Sequence, residues 1–335
     1  MESSTQAKSV LVHKGTYGCA FTPPLPCKKS VLKQKSGQKV IGKITTKDEV
    51  ETELEISTII KKIPNYSSYF IIQVLDSCSV SNFKQLRPVY SPECEQYADS
   101  KNTNLDQLLS LHGGIDLHKL QVHGSFPFLN TLRHVLKGVS LLEEQGLCHS
   151  DLHSSNIVRD IRGTARIIDF GMSFLGDTIS PTYVRSYLNI YATKFDQQPP
   201  EFTVLNGIHT GVSLDYCINE VGQGKKIITS AQNHLGLGMS VDEQTNWMRE
   251  FFRTPGVYTM AKQDPVAFFK QFWRKMDVWG IGGIFLKLLI KLMLSPLFVE
   301  TQWKTDGNTI RTVLKGILQS NPNRRLSAKE ALALL

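Results

Sequence analysis

The sequence is short of the features that would commit it to several large protein classes. Its six cysteines (Cys19, Cys27, Cys78, Cys94, Cys148 and Cys217) are scattered and never form a CxxC pair. That excludes a zinc ribbon and does not resemble a disulfide framework. The formal net charge is +8, yet there is no long Lys/Arg run, so specific nucleic-acid binding is not expected. Modest basicity suits an anionic ligand, and it suits solubility equally well. The longest apolar stretch, "WGIGGIFLKLLIKLMLSPLF", is interrupted by Lys287, Lys291 and Pro296. It falls short of the roughly 20 apolar residues of a membrane span, and a buried core helix is the better reading. The first ten residues, "MESSTQAKSV", contain no apolar core, so no secretory leader is expected. Together these absences predict a reducing, cytosol-like compartment. Internal repeats and low-complexity segments are also lacking.

What is present is a globular composition. Of 335 residues, 41% are hydrophobic and 20% charged, enough to build a real core. Residues 9–45 read as strands, with the Pro- and Lys-rich "TPPLPCKKSVLKQKSGQ" between them. "DEVETELEISTIIKKI" predicts an amphipathic helix over 48–63, N-capped by Asp48 and stopped by Pro64. Val50, Leu54, Ile56, Ile59, Ile60 and Ile63 supply its helical recurrence. "YFIIQVLDSCSV" reads as a strand, 81–104 as a polar loop, and "LDQLLSL" as strand or helix by pattern alone. Beyond the glycine hinge "HGGID" the chain turns helical. "FPFLNTLRHVLKGVSLLEEQG" ends at Gly146, the short strands "NIVRD" and "ARIIDF" flank Arg162–Gly163, and the tail reads helix, turn, helix. A cleft between two such parts is a common ligand site.

Three stretches carry chemistry. In "KGTYGCAF", Gly15 and Gly18 lie in a turn where backbone N–H groups can approach phosphates, although hairpin glycines are mostly only turns. Lys43 sits on a predicted strand, and the helix downstream offers Glu51, Glu53 and Glu55 to hold it; a solvated helix face would carry the same residues. "CHSDLHSSN" is a loop entering a strand, and a second strand delivers Asp169–Phe170–Gly171. An aspartate in that first loop can orient a hydroxyl and accept its proton. Asn156 and Asp169 are hard oxygen ligands of the kind Mg²⁺ shares with phosphates.

At this point the sequence resembles the eukaryotic-type protein kinases over nearly its whole length. The family order is glycine loop, strand lysine, helix glutamate, HRDxxxxN, DFG, APE. Here it reads "GTYG", "VIGK", Glu55, "HSDLHSSN", "DFG" and Pro199–Pro200–Glu201. "DVWGIGGI", from Asp277, is similar to the family's buried central helix. Arg325 in "NPNRRLS" is similar to the arginine that pairs with Glu201. The resemblance implies an α+β, bilobal fold in one kinase domain, with a small β-rich lobe over 1–111 and a larger helical lobe over 112–335. It implies ATP and Mg²⁺ as cofactors and a protein hydroxyl, most simply of serine or threonine, as acceptor. Lys43 would bind the α- and β-phosphates, paired with Glu55 or alternatively Glu51. Asp151 would be the catalytic base, and Asn156 and Asp169 the Mg²⁺ ligands. Gly15, Thr16, Tyr17 and Gly18 would cover the phosphates, and Ala20 the adenine. The backbone near Leu111 and His112 would read adenine, and Asp116 would reach the ribose.

The departures are as informative. His13 replaces the first loop glycine, and Gly42 stands before the lysine where alanine is usual, a small-for-small change. His153 replaces the lysine that helps hold the transferring phosphate, which brings in a pH dependence. Between Glu201 and Asp277 lie roughly 75 residues, far more than the family norm, giving an insertion at about 202–270. It is either a helical packing element or a partner-binding surface. The insertion and "KGTYGCAFTPPLPCKK" resemble kinases of large nucleocytoplasmic DNA viruses, which implies host cytoplasm or virion. An inactive scaffold, a small-molecule kinase and a metal site at His149, Asp151 and His153 are the competing readings. Ser150 replaces the arginine that normally grips a phosphorylated activation loop. Activity independent of phosphorylation in residues 172–198 is therefore expected. Phosphatase treatment should leave the rate unchanged, and loss of activity with phosphosites mapped to that loop would refute this.

Overall fold

The computed structural model describes residues 9–15, 18–28, 39–72, 76–80, 105–236 and 238–335. Thr16, Tyr17 and the expected polar loop at 81–104 lie outside the described residues. The chain divides into two compact units. One comprises residues up to Gly114 together with Ile168–Gly171, and the other comprises Ile115–Ile167 and Met172–Leu335. The first is rich in sheet and the second in helix, the α+β division expected of a bilobal kinase fold. The expected boundary lay at 111/112; the division falls after Gly114 and gives Ile168–Gly171 to the first unit.

The first unit is built on a five-stranded antiparallel sheet. Its strands are β1 (Val10–Gly15), β2 (Gly18–Thr22), β3 (Val40–Thr46), β4 (Asp76–Ser79) and β5 (Leu105–Leu111), in the order β1-β2-β3-β5-β4. "LDQLLSL" resolves as strand β5 because it pairs on both sides, with β3 and β4, and buries Gln107, Leu108 and Leu109 completely. Among the described residues of the expected strand 69–80, Asp76–Ser79 is regular strand; Tyr66–Ser68 just before it is a 3₁₀ turn. Helix α1 (Lys47–Ile60) starts directly from β3. Thr46, not Asp48, is its N-cap: the Thr46 hydroxyl accepts the Glu49 N–H and the Glu49 carboxylate accepts the Thr46 N–H. This reciprocal box satisfies two otherwise orphaned donors.

Two long-range features of this unit escaped sequence reasoning. Cys27 and Cys78 form a disulfide across 51 residues, against the expectation of unpaired cysteines. The chain leaving the Pro-rich segment lies along β4, where Cys27 bridges Val80 and the Lys28 N–H donates to the Ser79 carbonyl. That contact brings the two Cα atoms to 5.7 Å. No local spacing advertises such a pairing. The second feature is Gln107. Its Oε1 accepts the Leu25 N–H at 2.8 Å and its Nε2 donates to the Leu25 carbonyl at 2.9 Å. The side chain reads one residue of the Pro-rich segment as a strand neighbour would.

Gly42 follows from that clamp. Partners in register share a face, so Ala20, Lys43 and Leu108 lie on one face, and Phe21, Gly42 and Leu109 on the other. A Cβ on Gly42 would stand 2.0 Å from Gln107 Oε1. Gly42 is therefore not a small-for-small exchange; the Gln107 carboxamide fills its side-chain space.

In the second unit, helix α2 (Phe128–Glu144) buries one apolar face and gives way to Gly146 in the left-handed region, φ 72°. Short strands follow. β6 (Ile115–Asp116), β8 (Ile157–Arg159) and β9 (Ala165–Ile167) form one small sheet, and β7 (Leu147–Cys148) pairs with β10 (Phe174–Leu175). Helix α3 (Pro181–Leu188) is followed by α4 (Pro200–His209), α5 (Leu214–Gly224), α6 (Lys226–Leu235), α7 (Val241–Arg253), α8 (Val257–Gln263) and α9 (Pro265–Phe272). The long apolar stretch becomes α10 (Met276–Leu292), a core helix that buries Trp279, Phe285 and Leu289. Among the described residues no single helix is long and apolar enough to cross a membrane. The phenylalanines of the insertion are core: Phe202, Phe251, Phe252, Phe268 and Phe269 are buried, whereas Tyr216 and Tyr258 are exposed. Phe202 and Phe268 meet edge to face at 5.6 Å, and Phe251 and Phe272 at 4.9 Å, the geometry aromatic quadrupoles favour. The tail is α11 (Lys304–Ile317) and α12 (Ala328–Leu332).

Gly42→Ala should destabilise the protein by about 1–3 kcal/mol through overpacking, read from urea unfolding. The cost should shrink in a Gln107→Ala background; strict additivity of the two changes would refute the contact.

Candidate active site

In the first unit, three charged residues distant in sequence converge. Lys43 Nζ lies 2.5 Å from Glu53 Oε1 and 2.7 Å from Asp169 Oδ1. β3 directs Lys43, α1 supplies Glu53, and Asp169 arrives with Ile168–Gly171. Phe170 is buried edge to face against Phe70 at 6.0 Å, which anchors that segment. Asp169 itself is left-handed, φ 65°, a conformation costing about 1–3 kcal/mol that tends to mark functional positions.

The partner of Lys43 is Glu53, and this corrects the expectation of Glu55. Val50, Glu53, Ile56, Ser57 and Ile60 are the buried residues of α1, one continuous face at helical spacing. Glu55 and Glu51 both point to solvent, and Leu54, counted as apolar face, is also exposed. Periodicity contained this answer: Glu53 is three residues from both Val50 and Ile56. Matching to the family register obscured it.

Burial alone would lower the Lys43 pKa, but Asp169 and Glu53 outweigh it, and the ammonium is held well above the ordinary lysine range. Glu53 is shifted upward by burial, an effect the Lys43 charge opposes. The cluster is one firmly charged lysine shared by two carboxylates.

The remaining residues expected in this unit divide. Gly15 and Gly18 face each other across the β1–β2 turn. Gly18 packs on β3 so closely that a Cβ would meet the Ile44 carbonyl oxygen at 2.4 Å. Ala20 lies opposite Lys43 in register. Leu111 closes β5 opposite Val40. The His112 N–H donates to the Lys39 carbonyl at 3.0 Å, so this amide, expected to read a base, is spent within the sheet. His13 has a described backbone only, opposite Ala20.

In the second unit, the loop 148–156 hangs from Asp277 in the first turn of α10. The Asp277 carboxylate accepts the N–H of His149 at 2.7 Å and of Ser150 at 2.9 Å. Burial raises the Asp277 pKa, and His149 opposes that. Ser150 is left-handed, φ 62°. Its hydroxyl donates to the Met172 carbonyl at 2.6 Å and lies 2.9 Å from the Tyr183 hydroxyl, which also donates to Met172. Asn156 Nδ2 donates to the Asp151 carbonyl at 2.9 Å and stands 3.5 Å from its carboxylate. His153 Nδ1 accepts the Ser155 N–H, which places the ring proton of a neutral imidazole on Nε2, 3.6 Å from Asp151 Oδ2. Asp116, in β6, accepts the Lys119 N–H and lies beside β8. Among the described residues no group of three or more His, Cys, Asp and Glu is arranged to hold a metal, which removes the His149/Asp151/His153 alternative. Sequence reasoning missed Asp277 and Tyr183 as supports of the loop. The signal for Asp277 was present, an isolated acid opening an otherwise apolar helix.

Glu201 and Arg325 form a bidentate pair at 2.8 and 2.7 Å with both side chains fully buried. The guanidinium also donates to the carbonyls of Gln319 and Lys275 and stacks over Trp279.

No family model matches the chain. Parts of it are similar to curated fungal proteins. It is 35% identical over 85 residues to the mitogen-activated protein kinase kinase kinase mkh1 of Cytospora mali, which covers 24% of this chain and 5% of that protein. It is 40% identical over 63 residues to bck1 of Aspergillus fumigatus, 18% of this chain and 4% of that one. It is 45% identical over 47 residues to MCK1 of Pyricularia oryzae, 14% and 3% respectively. The latter two also bear mitogen-activated protein kinase kinase kinase names. The chain is related to protein kinases. The aligned stretches span only a few per cent of these much longer relatives, and the relationship is drawn at that coarse level.

Breaking a buried ion pair by removing one partner is costly. Arg325→Ala should therefore lose about 3–5 kcal/mol of stability in urea unfolding. A loss under about 1 kcal/mol, the scale of a surface pair, would show that Glu201 is held by other groups.

Proposed function

We propose that the chain is an ATP-dependent protein kinase that phosphorylates serine or threonine hydroxyls of a protein substrate. The observation that carries this reading is the buried Lys43–Glu53–Asp169 cluster. A lysine fixed as a cation by one carboxylate of its own helix–strand pair is suited to hold phosphates. The donor set also fits Mg²⁺, a hard cation that keeps few protein ligands and shares phosphate oxygens. Asp169 supplies a carboxylate and Asn156 a side-chain oxygen not engaged in its two Nδ2 contacts. When bound, Mg²⁺·ATP supplies the γ-phosphoryl group and the charge neutralisation that phosphoryl transfer needs.

This chain's own residues would do the rest. Lys43 holds the α- and β-phosphates. Gly15, Thr16, Tyr17 and Gly18 cover them, Ala20 and the backbone around Leu111 border the base, and Asp116 faces the ribose. Asp151 accepts the proton of the acceptor hydroxyl, oriented by Asn156 on its backbone and carboxylate. His153 presents its Nε2–H on the same carboxylate, in the position where a lysine is usual. Catalysis rests on positioning and charge. The finer placement among kinases of large nucleocytoplasmic DNA viruses, in host cytoplasm or virion, rests on "KGTYGCAFTPPLPCKK" and the 202–270 insertion alone; the relatives above are fungal. A partner-binding role for exposed faces of that insertion belongs to the same proposal.

The test is transfer from labelled ATP with Mg²⁺ to a mixture of acidic and basic proteins. Asp151→Ala should lower the rate about 10²–10⁴-fold, Glu53→Gln should reduce it at least about tenfold, and Glu55→Gln should leave it unchanged. An undiminished rate in Asp151→Ala would remove Asp151 as the base, and ATP binding without transfer in any form would favour an inactive scaffold.

A further inference from the structure

Lys225 is a fully buried lysine outside the site described above. It sits at the junction where α5 ends and α6 begins, in extended conformation. Its Nζ donates to the Phe195 carbonyl at 2.6 Å. The same junction grips the next residue as well. The Ile227 N–H, an orphan donor of the first turn of α6, donates to Asp196 Oδ1 at 3.1 Å. From the core helix, the Trp279 Nε1–H donates to the Asp196 carbonyl at 2.8 Å, and Lys287 pairs with Asp196 Oδ2 at 3.1 Å. Gly224 packs on Thr193 closely enough that a Cβ would meet its hydroxyl at 3.0 Å. Residues 193–196 are thus held from their backbone side while the Phe195 side chain is 42% exposed.

A buried ammonium is costly unless paired. The carboxylates that bear on Lys225 are Asp196 and Glu201, and each is already engaged, Asp196 by Lys287 and Glu201 by Arg325. A methionine or leucine would fill the same space without that cost. What lysine adds is a donor that reaches a main-chain carbonyl across an interior.

We propose that the 202–270 insertion is an internal clamp on residues 193–198, with Lys225 as its positioning residue, ordering that segment without phosphorylation. The clamp lies wholly within the second unit. Its bearing on the acceptor protein rests on the kinase reading, in which 172–198 is the activation loop.

The clamp has a pH signature. Burial lowers the Lys225 pKa to about 7, an effect Asp196 and Glu201 partly offset; Lys287 and Arg325 are the other charges facing those carboxylates. The folded pKa lies below the unfolded value, so between pH 7 and about 10 the released segment binds more protons than the clamped one. The clamp therefore tightens as pH rises from 7, and the neutral amine still donates to Phe195.

Hydrogen–deuterium exchange of the full chain tests this. After correction for intrinsic rates, protection of residues 193–198 should rise between pH 7 and 8.5, by up to about tenfold per pH unit. In Lys225→Met that rise should vanish and protection at pH 8.5 should fall. Asp196→Asn keeps an acceptor for Ile227 and should move the onset of the rise to lower pH. It serves as well if Lys225→Met does not fold. In transfer assays on dephosphorylated enzyme, Lys225→Met should raise the KM for casein and leave the KM for ATP unchanged. A flat wild-type profile, or a rise that persists in Lys225→Met, overturns the clamp even where transfer is robust. The pH-dependent rise without any phosphotransfer would instead keep the clamp and remove the kinase reading.

Discussion

One buried carboxylate holds two consecutive backbone N–H groups: Asp277 accepts those of His149 and Ser150. Ser150 is itself left-handed, φ 62°. The strain is of the order of 1–3 kcal/mol, and two hydrogen bonds to a buried charge are strong enough to offset it. The acid sits in the first turn of a deeply buried core helix, so the loop inherits the rigidity of the core. The positions of Asp151, His153 and Asn156 are downstream of that single attachment.

The same economy recurs wherever charge is buried. Lys43 is held by Glu53 and Asp169, Glu201 by Arg325, and Asp196 by Lys287 and the Ile227 amide. Replacing such pairs by apolar residues would often cost nothing in stability. Their use here is geometric. Each ties a short irregular segment to a helix: residues 168–171 to α1, 318–327 to α4, and 193–196 to α6 and α10. Irregular segments lack ladders of their own, and charge-assisted bonds supply the missing direction.

What the sequence made legible follows from how local each signal is. The division into a sheet-rich and a helical part, the helix ending at Gly146 and the core helix at 276–292 are local patterns of period or punctuation, and they are present. Glu53 was legible too, because a glutamate at the centre of a face made by Val50, Ile56 and Ile60 has to be buried and therefore partnered. Motif register pointed two residues away, to Glu55, and a shift of two residues turns a helix by about 200°. The Cys27–Cys78 disulfide and the Gln107–Leu25 clamp were not legible, since 51 and 82 residues separate their partners and no composition rule joins them. Gly42 could be read only after Gln107 was placed.

Ser150 shows how a substitution in a motif is absorbed. A serine cannot reach a phosphate as an arginine would. Its hydroxyl instead closes a small set of bonds with Tyr183 and the Met172 carbonyl. Tyr183 belongs to α3, whose N-cap Ser180 and following Pro181 make it a self-starting helix. Tyr183 also packs against Phe174, and Tyr187 of the same helix against Phe202 and Phe269. The segment after residue 171 is thereby tied at its start by a hydroxyl network, in its middle by aromatic packing and at its end by Lys225 and Asp196. None of these ties involves a site that must be modified. The segment is ordered at three points by neutral hydrogen bonds, buried rings and internal charge, and the Ser150 hydroxyl makes the first of these contacts where an arginine is usual.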